Sequence, residues 1–255
     1  MEKTEFISLC QGILEENGLS RFAGTEECSL YYDFLLRLSE ANKVMNLTAI
    51  TDMRSMILRH IVDSLYLLTL CPENVASLAD VGCGAGFPSI PCAIAARTVF
   101  PSLRIIGFDS TAKRIAFVNS CADALGLSNF IGVCGRAEEL ARKDGFREVF
   151  DVCTARAVSE AYLLSELCLP FLKVGGRMIA LKGAKGADEL YSASSHISLL
   201  GGDGGTLHEY EITDSGENVR EYRCAIISKK ELPTPSLYPR AYAKILSEMK
   251  KKAQN

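Results

Sequence analysis

The residues best suited to chemistry lie in one short stretch, where Asp80, Gly82, Gly84 and Gly86 follow the spacing Asp-x-Gly-x-Gly-x-Gly. Glycine has no Cβ, so the backbone can turn sharply there and approach a ligand closely. A short buried strand is predicted at 77–81 ahead of the turn, and Phe87-Pro88 marks the start of a helix behind it. Proline suits a first helical turn, and Pro91 still falls among the N–H groups that have no intrahelical partner. A glycine turn between strand and helix aims helix N-terminal amides at whatever binds. The stretch therefore reads as a nucleotide-like site, against the plainer reading of a tight turn without a ligand. It is not the dinucleotide fingerprint Gly-x-Gly-x-x-Gly, whose third glycine would fall on Phe87.

The elements that must hold this turn alternate along the chain. Strands are predicted at 77–81, 103–109, 130–134, 148–154 and 176–182, the last after a Gly-Gly turn. Helices are predicted at 111–126, 136–143, 159–172 and 185–200. Such alternation implies right-handed βαβ units and a parallel sheet. Two final strands, 206–213 and 221–228, flank a turn at 214–218 and read as an antiparallel hairpin at the sheet edge. The glycine spacing behind Asp80 resembles the first motif of class I methyltransferases that bind S-adenosylmethionine. Together these features predict an α/β fold of that class, a Rossmann-like seven-stranded sheet whose last hairpin is antiparallel.

In open parallel sheets the ligand lies beyond the carboxyl ends of the strands. That rule collects Asp80 to Phe87, Asp109, Arg136–Glu138, Arg156 and Lys182 into one region. Asp109 suits a ribose, since a carboxylate accepts from two vicinal hydroxyls, but it can also cap the helix beginning near Thr111. Ala137 and Glu138 lie where an adenine would sit, although Glu138 is equally a first-turn acid favouring a helix dipole. Phe87 packs either beside a cofactor or in the core.

The first 74 residues show no strand signal and read as a helical cap ahead of a main domain at 75–230. Phe6, Leu9, Ile13 and Leu14 form one apolar stripe, ended near Asn17-Gly18. Thr25 is placed to cap a second helix, in which Leu30, Phe34, Leu38, Ala41 and Met45 recur at helical spacing, with a loop at 42–50. Asp52 can cap a third, carrying Met56, Ile57, Ile61, Leu65 and Leu68 inward. Residues 231–255 form a separate tail, broken by Pro233, Pro235 and Pro239 and made basic by Arg240, Lys244, Lys250, Lys251 and Lys252. It serves either as a solvated end or as a contact to phosphates.

Bulk properties exclude several classes. Of 255 residues, 48% are hydrophobic, enough for a sizeable core, and the net charge of −3 does not advertise a nucleic-acid binder, though a local basic patch can still act as one. The opening Met1-Glu-Lys-Thr-Glu-Phe lacks a secretory pattern, and no apolar run approaches a membrane span. Ten cysteines without a Cys-x-x-Cys pair, among them Cys83, Cys92, Cys134, Cys153 and Cys168 in apolar elements, are expected as reduced, buried thiols of a cytoplasmic protein. His60, His196 and His208 are scattered without ligand spacing, so no metal site is expected. Oligomeric state is left open, a monomer being the simpler expectation.

A more specific likeness rests on motifs that occur in order: Asn42-Lys-Val-Met-Asn-Leu-Thr48, Arg59-His-Ile-Val-Asp-Ser64, Asp80-Val-Gly-Cys-Gly-Ala-Gly-Phe-Pro88, Phe108-Asp-Ser110, Arg136-Ala-Glu138, Thr154-Ala-Arg-Ala157 and Ala180-Leu-Lys-Gly183. Together they resemble the bacterial small-subunit (16S) ribosomal RNA guanine-N7 methyltransferases, the glucose-inhibited division protein B family. The resemblance covers about residues 30–230, and the 59–64 and 154–157 motifs single out the family. It implies S-adenosylmethionine as cofactor, held by Gly82, Phe87, Ala137, Glu138 and Arg156, and 16S rRNA or the small subunit as partner.

Guanine N7 carries a free in-plane lone pair, so the implied reaction needs no general base. Arg156 and Lys182 can grip the guanine or its phosphates, or pair with Asp151 or Asp63 as scaffold. His60 and Asp63, three apart on one helix face, can line the RNA side of the pocket, and Arg59, four from Asp63, can pair with it. Position 154–157 lacks the Asn/Asp-Pro-Pro-aromatic motif of amine methylation, and Cys153 lies in an apolar run unsuited to a nucleophile. Two alternatives remain at this level: a methyltransferase-like rRNA-binding or assembly factor, and a nicotinamide-dependent oxidoreductase.

Overall fold

Strand β1 (Ser77–Val81) is buried almost throughout and pairs in parallel with β2 (Arg104–Asp109) on one side and β4 (Phe150–Arg156) on the other. A computed structural model describes residues 1–156 and 158–252, the last three by backbone alone. Ala157 of the 154–157 motif and the side chains of Lys250, Lys251 and Lys252 therefore lie outside the described residues. With β3 (Phe130–Cys134), β5 (Leu172–Lys182), β6 (Thr206–Asp214) and β7 (Val219–Lys229), the strands form one sheet in the order β3-β2-β1-β4-β5-β7-β6. Strand β7 runs antiparallel to both its neighbours. The strand order reverses between β1 and β4, which opens a crevice beyond their carboxyl ends.

Helices cover both faces, as a parallel sheet requires. In chain order they are α1 (Lys3–Glu16), α2 (Thr25–Met45), α3 (Met53–Met56), α4 (Asp63–Leu70), α5 (Ser89–Val99), α6 (Ala112–Ala124), α7 (Ala137–Leu140), α8 (Ala161–Cys168), α9 (Gly186–Leu199) and α10 (Tyr242–Lys252). Leu78 and Val152 join an apolar cluster with α1, α2, α4, α5 and α6, while Ala79, Val81, Cys153 and Ala155 face a second with α8, α9 and α10. The N-terminal helices thus share a core with the sheet. Asn17, at the end of α1, extends the edge: its side chain donates to Thr213 O at 2.7 Å and accepts from Thr213 N at 2.8 Å.

Several local expectations are corrected. Gly24, not Thr25, stands at the N-cap of α2, and no side chain caps it. The helix continues through Met45 to a left-handed Asn46, so the predicted loop at 42–50 loses its first turn. Asn42 still organises the loop beyond the helix end, accepting from Leu47 N and Thr48 N at 2.6 and 2.9 Å. Strand β5 begins at Leu172, because Gly175-Gly176 lies in a bulge opposite β4 rather than in a turn before the strand. Cys134 is exposed, not buried: it is the last residue of β3, the sheet's edge strand, although it has the same strand parity as buried Phe130 and Gly132. The tail is not a free basic end: Arg240 sits beside fully buried Glu166, with 2.7 Å between its Nη2 and Glu166 Oε2.

Candidate active site

The glycine turn is built from below. Gly82 donates to Phe108 O at 2.7 Å and has φ +76°, where a side chain is strained; a Cβ there would also press against Val158 at 2.6 Å. Gly86, at φ +95°, leaves room for packing: a Cβ would stand 2.7 Å from Ile90 and 3.3 Å from Phe34. Phe34, fully buried, contributes about 3 kcal/mol of apolar burial beneath the loop. Asp80 is also fully buried under the turn. Its Oδ2 accepts from Ser89 Oγ at 2.6 Å, whereas Oδ1 has no partner among the described residues. Burial lifts this carboxyl to about 7 against the opposing Ser89 hydrogen bond.

Two cavities open above the strand ends. The first, about 360 Å³, is lined by Gly82, Asp109, Ala137, Glu138 and Arg156, with Phe108 and Val81 as its floor. Asp109 Oδ1 accepts from Thr111 N at 2.8 Å and Oδ2 from Gly84 N at 3.1 Å. The capping and the ligand readings of Asp109 are therefore compatible, since a carboxylate has about four acceptor positions and the backbone uses two here. Glu138, at the start of the short α7, has no hydrogen-bond partner among the described residues although only 9% of it is exposed. Both carboxylates keep acceptor positions for a donor seated in the cavity.

The second cavity, about 590 Å³, is lined by Arg59, His60, Asp63, Lys182 and Arg223, and again by Arg156. Arg156 and Val158 are common to both walls. Arg156 Nη1 donates to Asp63 Oδ2 at 3.0 Å and to Arg59 O at 3.1 Å, and its Nη2 lies 3.4 Å from His60 Nδ1. Its guanidinium also stands 5.1 Å from the centre of the Phe87 ring, which stacks on His60 at 4.3 Å. The sequence predicts one continuous helix across this segment, but residues 57–62 form a π turn between α3 and α4. Such widened turns recur at functional sites, and this one carries Arg59 and His60 to the wall. His60 Nε2 reaches Thr48 Oγ1 at 3.0 Å, which ties the 42–48 motif to the 59–64 motif.

Burial first, and the Arg156 charge second, pull His60 down to about 4. A guanidinium can only donate, so the contact with Arg156 suits a neutral ring with Nδ1 as acceptor, which leaves Nε2–H for Thr48. The expected result in NMR is a His60 ring signal that does not titrate between pH 5.5 and 8. A midpoint near 6.5 would refute this neutral hydrogen-bonded state.

Expected pairings are partly redrawn. Arg59 pairs with Glu221 of β7 at 2.7 Å rather than with Asp63. Asp63 is already held by Arg156, by Tyr210 OH at 3.0 Å and by Arg223 at 3.5 Å. Lys182 pairs with Glu189 at 2.7 Å and donates to Ser159 O at 2.5 Å, while Asp151 holds Lys173 and the Ser77 hydroxyl. Of the residues singled out from sequence, Gly82, Asp109, Ala137, Glu138 and Arg156 meet in the first cavity, and His60, Asp63, Arg156 and Lys182 in the second. Asp80, Gly84, Gly86 and Phe87 stand outside both walls and shape or support the turn. Sequence reasoning missed Arg223, Tyr210 and Glu221; they come from the final hairpin, where nothing local marks them.

The strand order and the crevice at the switch point are those of the class I methyltransferase fold. Similar architecture occurs in an O-methyltransferase from Bacillus cereus in complex with SAH (TM-score 0.52, 13% identity, 78% of this chain and 91% of that one) and in cofactor-bound Rv0187 from MTB (TM-score 0.52, 15% identity, 79% and 90%). At such identity the likeness speaks for the fold. Residues 26–214 match the GidB family model, rRNA small subunit methyltransferase G. Ribosomal RNA small subunit methyltransferase G from an Exiguobacterium species is 41% identical over 244 residues, covering 94% of this chain and 95% of that one. The protein of the same name from Geobacillus thermodenitrificans is 40% identical over 243 residues, with the same coverage. The chain belongs to the rRNA small subunit methyltransferase G family.

Proposed function

We propose that this protein methylates N7 of a guanine in 16S rRNA, with S-adenosylmethionine in the first cavity and the guanine in the second. The observation that carries the reading is Arg156, whose side chain borders both cavities. When bound, S-adenosylmethionine supplies an electrophilic methyl on a sulfonium. Asp109 and Glu138 are placed to accept from its ribose and adenine, and Gly82 lets the backbone come close. Arg59, Arg156 and Arg223 bring three guanidiniums to the acceptor cavity, where an RNA base and phosphates carry oxygen acceptors. Guanine N7 needs no deprotonation, so a neutral, fully engaged His60 and an Asp63 held by two cations suit the task as positioning groups. Rate then comes from alignment of N7, the methyl carbon and sulfur.

The partner is 16S rRNA, free or within the small subunit, and the setting is the cytoplasm. No helix among the described residues is long and apolar enough to cross a membrane. Membership in a methyltransferase family removes the support for a nicotinamide enzyme. The assembly-factor reading differs in one outcome, rRNA binding without methyl transfer. Borohydride–aniline cleavage of 16S rRNA, read by primer extension in cells with and without the gene, is the test. A cleavage stop that disappears without the gene is expected; an unchanged pattern would end the proposal.

A further inference from the structure

The segment after β7 is held far more firmly than a solvated end needs. Arg142 donates to Leu237 O at 2.8 Å and to Pro239 O at 2.6 Å, and Arg147 donates to Thr234 O at 2.8 Å and to Tyr238 O at 3.0 Å. Lys230, fully buried, donates to Leu169 O at 2.7 Å and to the Thr234 hydroxyl. Arg240 is clamped through both its backbone N–H (2.6 Å) and its guanidinium (2.7 Å) on Glu166, whose Oε2 His196 also meets at 3.1 Å. Ile245 is then completely buried in the second apolar cluster. These anchors fix the first turn of α10, and the residue they deliver is Tyr242. It is half-buried, lines the first cavity beside Arg136, Ala137 and Glu138, and has the Arg136 guanidinium 5.8 Å from its ring centre.

We propose that Tyr242 is a cofactor-contacting residue, its ring forming the outer wall of the adenine end of the first cavity, and that Arg240 is the positioning residue that sets it there. This rests on the reading of that cavity as the S-adenosylmethionine site. A heteroaromatic base seated by Glu138 and the α7 backbone presents a flat face, and an aromatic wall is the surface that complements it. Every base offers a π-face, so such stacking contributes to binding without any hydrogen-bond readout. The contact is made equally in ground and transition states, so it acts on cofactor affinity and not on the rate at saturation.

The chain contains no tryptophan, so Tyr242→Trp installs a single emission reporter in the wall. The probe is S-adenosylhomocysteine. Calorimetry on the unaltered protein comes first, and absence of uptake there would remove the cofactor reading itself. Given uptake, Tyr242→Trp is expected to bind within a few-fold of the parent with a saturable change in emission, and Tyr242→Phe to bind as the parent does. Tyr242→Ala is expected to raise Kd about tenfold (~1.4 kcal/mol) and the KM for S-adenosylmethionine in parallel, with kcat at saturation unchanged. Uptake with an unchanged Kd in Tyr242→Ala, or with no change in emission in Tyr242→Trp, would overturn the assignment. Arg240→Leu should reproduce the Tyr242→Ala loss of affinity; parent-like affinity in a folded Arg240→Leu protein would remove the positioning role.

Discussion

Replacing Arg156 by alanine is expected to lower kcat/KM for rRNA methylation about a hundredfold, equivalent to ~2.7 kcal/mol of transition-state stabilisation. The side chain is only 15% exposed and meets Asp63, the Arg59 carbonyl and His60 with one planar group. Its removal slackens both cavities at their common wall, and misplacement of reacting groups by an ångström costs on this scale. Arg156→Lys is expected to recover little, because an ammonium cannot reproduce a planar fork across three acceptors. The fold should persist, since Asp63 keeps Arg223 and Tyr210. Single-turnover kinetics on 16S rRNA or small subunits would decide it. Parent-like values in a folded Arg156→Ala protein would make the residue scaffold alone.

Glu166→Gln is expected to cost on the order of 3 kcal/mol of stability at pH 7. Burial alone would raise this carboxyl; hydrogen bonds from His196 and Arg240 outweigh burial and hold it at about 2, below its ordinary 4.5. A carboxyl whose folded value is depressed contributes stability above its unfolded value and loses it as pH falls through the folded one. The gap between the parent and Glu166→Gln should therefore be full above about pH 4.5 and close progressively toward pH 2. Denaturant melts of both proteins across that range test the sign. A gap that stays constant with pH, or widens toward acid, would contradict the assigned ion pair.

Much of the frame was legible because it rests on local rules. Strands 77–81 and 130–134 have the predicted bounds, since short, mostly apolar segments between turn residues leave little choice of ends. The parallel sheet and its closing hairpin followed from the alternation of elements and the turn at 214–218. Less legible were features in which one residue type has two uses. Gly86 and Asp80 belong to the same motif as Gly82, yet Gly86 yields space to Phe34 and Asp80 bonds Ser89 below the turn. The π turn at 57–62 was invisible because its residues keep an ordinary helical pattern.

By itself the sequence determined that a glycine turn stands at a strand's carboxyl end, that acids and bases follow the next strands, and that the motifs are those of an rRNA methyltransferase family. Those conclusions need only neighbours along the chain. The tertiary structure alone decided which charges pair and which face a cavity. Asp63, Arg156, Arg223 and Glu221 come from three separate elements, and Tyr242 lines the first cavity from a segment that Arg240 ties to a buried carboxylate on α8. Electrostatic partners and cavity walls depend on distances through space, and a linear order of residues does not contain them.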